Sequence, residues 1–201
     1  VPEFSRQCPH TGDQQRLFFC HIPRAGGRSV IKALEAAGWR TSFEIMGNDV
    51  SHPNYFSIRA HYNQQNESPP QSFAICRHPM RRLESAFFLK SRANGPLDMF
   101  KQLQEMTAQK IYTIWGGHLR PAHDLILDKT KVHKYEDGVS VCLKQLEHAG
   151  LLPRGSKVPH IAKSKKKPLN WKAADHALIE KIMRIYAQDL YSFGYPLFPE
   201  D

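Results

Sequence analysis

At 201 residues the chain is long enough for about one domain with a single sizeable core, and its formal net charge of +9 lies well away from neutral. A balance of that sign suits an anionic partner, whether nucleic acid, an acidic polymer, an anionic membrane or a phosphate-rich ligand, and does not choose among them. No apolar run approaches the roughly 18–20 residues that cross a bilayer and no signal-peptide pattern is read, so a membrane-spanning helix is not expected.

In chain order, residues 1–16 are polar, carry Pro2 and Pro9, and are expected to form a mobile lead-in to a domain over residues 17–201. The apolar run Leu17 to Cys20, with Ile22 just beyond, reads as a buried strand. Pro23 stops its ladder, the pair Gly26-Gly27 permits a tight turn, and Arg28, Ser29, Val30, Ile31 and Leu34 open a helix that should run to about Ala37, with Gly38 as its stop. Strand, glycine turn and helix together form an anion cradle. The backbone N–H groups of the turn and the positive end of the helix converge, and Arg24 and Arg28 add full charges.

Short strands are then expected over Thr41–Ile45 and Tyr55–Ala60, separated by polar loops, and a compact one over Ser72–Cys76. Pro79 suits the first turn of a helix through Leu83, Phe87 and Phe88 to about Ser91, so Arg77, Arg81 and Arg82 crowd a second strand-to-helix junction. Residues 97–109 read as a further helix presenting Phe100, Leu103 and Met106. The segment His118-Leu119-Arg120-Pro121 falls on a loop after the Gly116-Gly117 break. A strand over Val132–Tyr135, a helix over Val139–Ala149, a lysine-rich loop with Lys163, Lys165, Lys166 and Lys167, and an amphipathic helix over Ala173–Tyr191 complete the chain. Strands alternating with helices predict a single-domain α/β fold with a mainly parallel central sheet. The four cysteines show no C-x-x-C pair and read as buried thiols, and His123, His133, His148 and His176 have no metal-ligand spacing, so no metal is expected.

Five stretches in order resemble one family. Pro23-Arg24-Ala25-Gly26-Gly27-Arg28-Ser29 looks like the 5′-phosphosulfate loop of the sulfotransferases in the H-I-P-K-T-G-G-T-S form of carbohydrate-modifying members. Arg77-His78-Pro79-Met80-Arg81-Arg82-Leu83-Glu84-Ser85 is similar to their 3′-phosphate motif R-D-P-x-x-R-x-x-S. His118 to Pro121 resembles an H-x-R-P segment, Lys134 to Asp137 a K-Y-E-D segment, and Ile185 to Tyr195 the closing I-Y-x-x-D…F-G-Y. The resemblance implies a P-loop-like phosphosulfate turn and sulfuryl transfer from 3′-phosphoadenosine 5′-phosphosulfate to a hydroxyl on a carbohydrate or small metabolite. 3′-Phosphoadenosine 5′-phosphate is then the product. The resemblance assigns Arg24, Ala25, Gly26, Gly27, Arg28, Ser29, Arg77 and Ser85 to the nucleotide and His118 and Arg120 to the acceptor; Lys163 and Lys165 are candidate nucleotide contacts by their charge alone. The departures are Arg24 for the family lysine, Ala25 and Arg28 for its two threonines, and His78 for its aspartate. Arginine keeps the positive charge but, unlike lysine, gives up no proton.

The physical reading agrees: such a donor carries charge at two places, and two cationic strand ends in a parallel sheet are expected to face one cleft. Arg77 and Ser85 would lie about two turns apart on a straight helix, which places Arg77 in the strand-end turn. Arg81 reads as a solvated or helix-surface cation, and the lysine run as a loop that either stays solvated or closes over the nucleotide or an acidic acceptor. For the base, His61 is expected at the carboxyl end of the strand over residues 55–60, in a segment resembling one where some carbohydrate sulfotransferases place a catalytic histidine. Glu44 is the runner-up. Two other readings stand beside the sulfotransferase: a P-loop kinase, whose first glycine would fall at Ile22, and a noncatalytic basic module for nucleic acid or an acidic glycan. The chain starts at Val1, which suggests trimming. A bacterial cytosolic enzyme is the expected setting and a trimmed Golgi domain the alternative.

Overall fold

The computed structural model describes residues 3–8, 11–42, 55–91, 95–158 and 168–200. The chain forms two compact units, one drawn from residues 1–76 and 125–162 and the other from residues 77–124 and 163–201.

The first unit is built on a five-stranded mixed sheet of β1 (Glu3–Gln7), β2 (Gln14–Cys20), β3 (Arg40–Ser42), β4 (Ser72–Cys76) and β5 (Lys131–Lys134), in the order β3-β1-β2-β4-β5. The expected parallel character holds for β2, β4 and β5, which pair Cys20 with Ala74 and Cys76 with Lys134. β1 runs antiparallel to both its neighbours. Helices α1 (Gly27–Ala36), α2 (Tyr55–Gln64) and α6 (Val139–His148) belong to this unit. Every residue of β4 is buried, as expected of a central parallel strand, and the Phe73 ring stacks on Phe19 at 4.8 Å. Trp39 is buried, donates its indole N–H to the Leu151 carbonyl (2.7 Å) and is covered by the Arg6 guanidinium at 4.4 Å.

Two sequence expectations fail in this unit. Residues 3–7 are a strand and not a mobile lead-in: Phe4 is fully buried and Glu3 forms an ion pair with Arg16 across the β1–β2 hairpin (2.7 Å). A five-residue strand with one buried side chain shows no period, and only its pairing with β2 and β3 reveals it. The strand expected over Tyr55–Ala60 is instead helix α2. Its aromatic and β-branched residues suggest a strand, yet the buried positions are Ile58 and Tyr62, four apart, while Phe56 is 77% exposed. Of the strand expected over residues 41–45, β3 accounts for the start, and residues 43–45 lie outside the described residues.

The second unit contains α3 (Pro79–Lys90), α4 (Pro96–Glu105), α5 (Ala108–Gly117) and α7 (His176–Ser192). Met80, Leu83, Phe87, Leu103, Ile111, Trp171, Leu178, Ile182 and Tyr186 form its core. The single helix expected over residues 97–109 is two. Met106 leaves helical geometry (ψ 136°) and the Thr107 hydroxyl accepts from Lys110 N, capping α5. The Lys181 ammonium closes the end of α4 by donating to the Leu103 and Gln104 carbonyls (2.8 Å each) and to that of Met106. α7 begins at His176 under an Asp175 cap, later than the expected Ala173, which belongs to a separate short turn.

Cys20, Cys76 and Cys142 are buried thiols outside any disulfide, as expected, and Cys8 is a half-buried thiol. Burial pushes the Cys20 thiol up to about 11 and that of Cys142 to about 12, so both stay protonated at neutral pH. Among the described residues no helix is long and apolar enough to cross a membrane.

Candidate active site

In the first unit, β2, β4 and β5 are parallel neighbours, so their carboxyl ends share one sheet edge, where the Tyr135 N–H donates to the Cys76 carbonyl (2.8 Å). The turn after β2 leads through the buried Pro23 and Ala25 into α1. Two of its residues take left-handed backbone: Arg24 (φ 66°) and Gly26 (φ 83°), the latter as the N-cap of α1. No side chain caps α1 and no acidic residue stands in its first turn, whereas Arg28 is there and exposed. The first-turn N–H groups and the helix dipole thus present positive potential, and a cation at that end is unfavourable unless an anion joins it. This is the chemistry of a phosphate or sulfate cradle.

The glycines of the turn are held by close neighbours. A Cβ on Gly26 would lie 2.9 Å from two atoms of the Tyr135 ring and 3.2 Å from Val139 Cγ2, and one on Gly27 would lie 2.6 Å from His21 Nε2. The His21 ring also stacks on Phe19 at 5.7 Å. Gly26→Ala is expected to cost about 2–5 kcal/mol, combining left-handed backbone for a Cβ residue at about 1–2 with overpacking at about 1–3. Gly38→Ala supplies the control, since it has φ 82° with nothing within 4 Å and carries the backbone cost alone. Urea unfolding of both variants checks this. Equal losses would show that Tyr135 and Val139 do not press on the turn.

In the second unit, Arg77 precedes α3 outside the helix, as expected, and is half-buried like Ser85. His78 is the N-cap. Its Nδ1 accepts from Met80 N (3.2 Å) and its Nε2–H donates to the Pro196 carbonyl (3.0 Å), with the Tyr195 ring edge-on at 5.3 Å. A histidine thus does the capping that an aspartate would do there. Arg81 is not the solvated cation expected. It is 7% exposed and donates to Glu84 Oε1 (2.9 Å), which also accepts from Trp171 Nε1 (2.6 Å) and Leu169 N (3.3 Å). Arg82, 2% exposed, donates to the Arg120 carbonyl (2.8 Å) and lies 3.5 Å from Asp189 Oδ2. Both cations are therefore engaged in holding the unit together.

His118 and Arg120, both half-buried, lie on the turn after α5 as expected, where Arg120 N bonds back to the Gly117 carbonyl (3.0 Å). His123 beside them is clamped between carboxylates, Nδ1 to Asp189 Oδ1 and Nε2 to Asp124 Oδ1 (2.9 Å each). These bonds raise its pKa to about 9 and keep it an imidazolium at neutral pH.

A model of the sulfotransferase family matches residues 10–196. The chain belongs to the sulfotransferase family. No curated protein and no solved structure matches it.

The sulfotransferase assignment favours neither base. His61 lies in α2, half-buried beside Tyr62, and does not end a strand, so the reason for placing it at a carboxyl edge is gone. Glu44, Lys163 and Lys165 lie outside the described residues. Among the described residues no group of three His, Cys, Asp or Glu is placed to hold a metal ion. Sequence reasoning gave no role to His21 or Tyr135, whose rings flank the two glycines of the sulfotransferase turn. The signal for Tyr135 was present in the K-Y-E-D segment, and that for His21 in its place directly before Ile22-Pro23. Asp189, 1% exposed, was likewise quoted in a motif but not read as a ligand of the 118–123 turn.

Proposed function

We propose that this sulfotransferase takes 3′-phosphoadenosine 5′-phosphosulfate as donor and delivers its sulfuryl group to a hydroxyl of a carbohydrate or small metabolite. The uncapped start of α1, with Gly26 in left-handed backbone and Arg28 in the first turn, carries the reading. The donor, when bound, supplies an activated sulfuryl group whose departure leaves negative charge on the 5′-phosphate. The N–H groups at Gly26–Arg28 and the α1 dipole would hold that phosphate, with the Ala25 methyl turned into the core. Arg24 would stabilise the growing charge as a fixed cation. Arg77 and Ser85 would grip the 3′-phosphate, with Lys163 and Lys165 as further nucleotide contacts, and His118 and Arg120 would hold the acceptor. His61 stands as base on resemblance alone, with Glu44 as its rival. The pH profiles of His61→Ala and Glu44→Gln decide between them, because only the true base loses the acidic limb.

Calorimetry with 3′-phosphoadenosine 5′-phosphate, adenosine 5′-phosphate, ATP and a duplex oligonucleotide tests the donor. Arg77→Ala should weaken the 3′-phosphorylated nucleotide by about ten- to hundredfold, the roughly 1.5–3 kcal/mol of one charge-assisted hydrogen bond, and leave adenosine 5′-phosphate unchanged. Equal weakening of both removes Arg77 from the 3′-phosphate. Preference for ATP points to a kinase, and binding of the duplex alone to a noncatalytic basic module. Mass-spectrometric detection of sulfated products across a panel of hydroxylated acceptors then identifies the class accepted.

A further inference from the structure

Between Leu119 and His123 the chain is held by side chains from other elements. The Leu119 carbonyl accepts from the Tyr186 hydroxyl, and the Arg120 carbonyl from Arg82 Nη2 (2.8 Å). Ala122 N donates to Asp189 Oδ2 (2.7 Å) and His123 N to Asp189 Oδ1 (2.9 Å). Tyr186 and Asp189 sit three residues apart on α7 and so point to the same side, and both are 1% exposed. These contacts add to the turn's own bond from Arg120 N to the Gly117 carbonyl (3.0 Å). Just before it Ile114, Trp115 and Gly116 leave helical backbone, and Gly116 has nothing within 4 Å of where a Cβ would be. A buried carboxylate suits the task because it only accepts, and four donors converge on it: Ala122 N, His123 N, His123 Nδ1 and Arg82 Nη1.

We propose that Asp189 is a positioning residue for the acceptor, its carboxylate, with the Tyr186 hydroxyl, fixing the backbone of residues 119–123 and so aiming His118 and Arg120. The inference rests on the assignment of those two side chains to the acceptor. In Asp189→Asn one oxygen becomes an NH2 group facing donors, so part of the clasp opens without loss of volume.

Three measurements test it. Amide hydrogen exchange at residues 119–123 should rise at least about tenfold in Asp189→Asn, with β2 and β4 unchanged; unchanged exchange at the turn overturns the proposal. With chemically desulfated heparin as acceptor probe, chosen as an acidic polysaccharide to complement the net charge of +9, the acceptor KM should rise by about tenfold or more. Affinity for 3′-phosphoadenosine 5′-phosphate should stay within about twofold. A fall in nucleotide affinity with an unchanged acceptor KM would mean that Asp189 acts through Arg82 on α3, and overturns the proposal. Tyr186→Phe, which removes a single hydroxyl, should shift the acceptor KM the same way by a smaller factor, and it serves if Asp189→Asn does not fold. Arg120→Ala separates the two layers. If it leaves the acceptor KM unchanged, the acceptor assignment fails; if it raises KM while Asp189→Asn and Tyr186→Phe do not, the assignment stands and the positioning role falls.

Discussion

Arg24→Ala is expected to lower the turnover number by about 10²–10³-fold, the loss typical of removing one group that stabilises charge developing in a transition state. Breaking the bond from sulfur to its bridging oxygen leaves charge on the departing phosphate, so a cation fixed there counts for more in the transition state than in the ground state. The backbone supports this assignment. Arg24 has φ 66°, a conformation that costs a residue with a Cβ about 1–2 kcal/mol and that the turn imposes nonetheless. Alanine meets the same backbone cost, so the left-handed turn is not itself a source of difference between variant and parent. Arg24→Lys should retain activity, since the charge stays and a proton becomes transferable. Single-turnover rates set against the affinity for 3′-phosphoadenosine 5′-phosphate provide the measurement. A raised KM with an unchanged turnover number would make Arg24 a docking charge.

Glu84→Ala is expected to destabilise the protein by about 3–5 kcal/mol, the range for removing one partner of a buried ion pair. Glu84 is 6% exposed, and its Oε1 receives the Arg81 guanidinium, the Trp171 indole N–H and the Leu169 amide. Without it Arg81 loses the carboxylate that receives it at 2.9 Å, while the carbonyls of Leu169 (3.4 Å) and Glu200 (3.3 Å) offer it dipoles. Glu84→Gln should fall between the variant and the parent, because the amide oxygen still accepts from the indole while the charge is gone. Trp171→Phe, which loses one hydrogen bond, should cost about 1 kcal/mol from that source. The order of the three guanidinium midpoints is the check, and a loss below about 1 kcal/mol for Glu84→Ala would show that Arg81 finds solvent when its partner leaves.

Local chemistry made much of the anion cradle readable in advance. Proline, two glycines and an apolar run specify a strand, a turn and a helix whatever surrounds them, and α1 closes before Gly38 as expected. Ser72–Cys76 reads as a buried strand because all five of its side chains face the interior, so an unbroken apolar run needs no partner to interpret. Pro79 sits in the first turn of α3, where its missing N–H costs nothing. The order of five motifs likewise carried the family, which needs residue identity and not geometry.

Other features exist only through partners distant in the chain. β1 is a strand because β2 and β3 supply its hydrogen bonds, and five residues with one apolar side chain hold no record of that. Residues 55–60 have strand-like composition, and the core that receives Ile58 and Tyr62 four residues apart makes them helix. For the arginines, sequence by itself determined that three cations stand at the entrance to α3. Tertiary structure decided that Arg81 and Arg82 are held inside by Glu84, Asp189 and backbone carbonyls, because a guanidinium becomes a ligand or a strut according to which carboxylate the fold brings to it. In the same way the turn that carries His118 and Arg120 was legible as a loop, but the side chains that hold its backbone, Tyr186 and Asp189, come from more than sixty residues away, where no local pattern points to them.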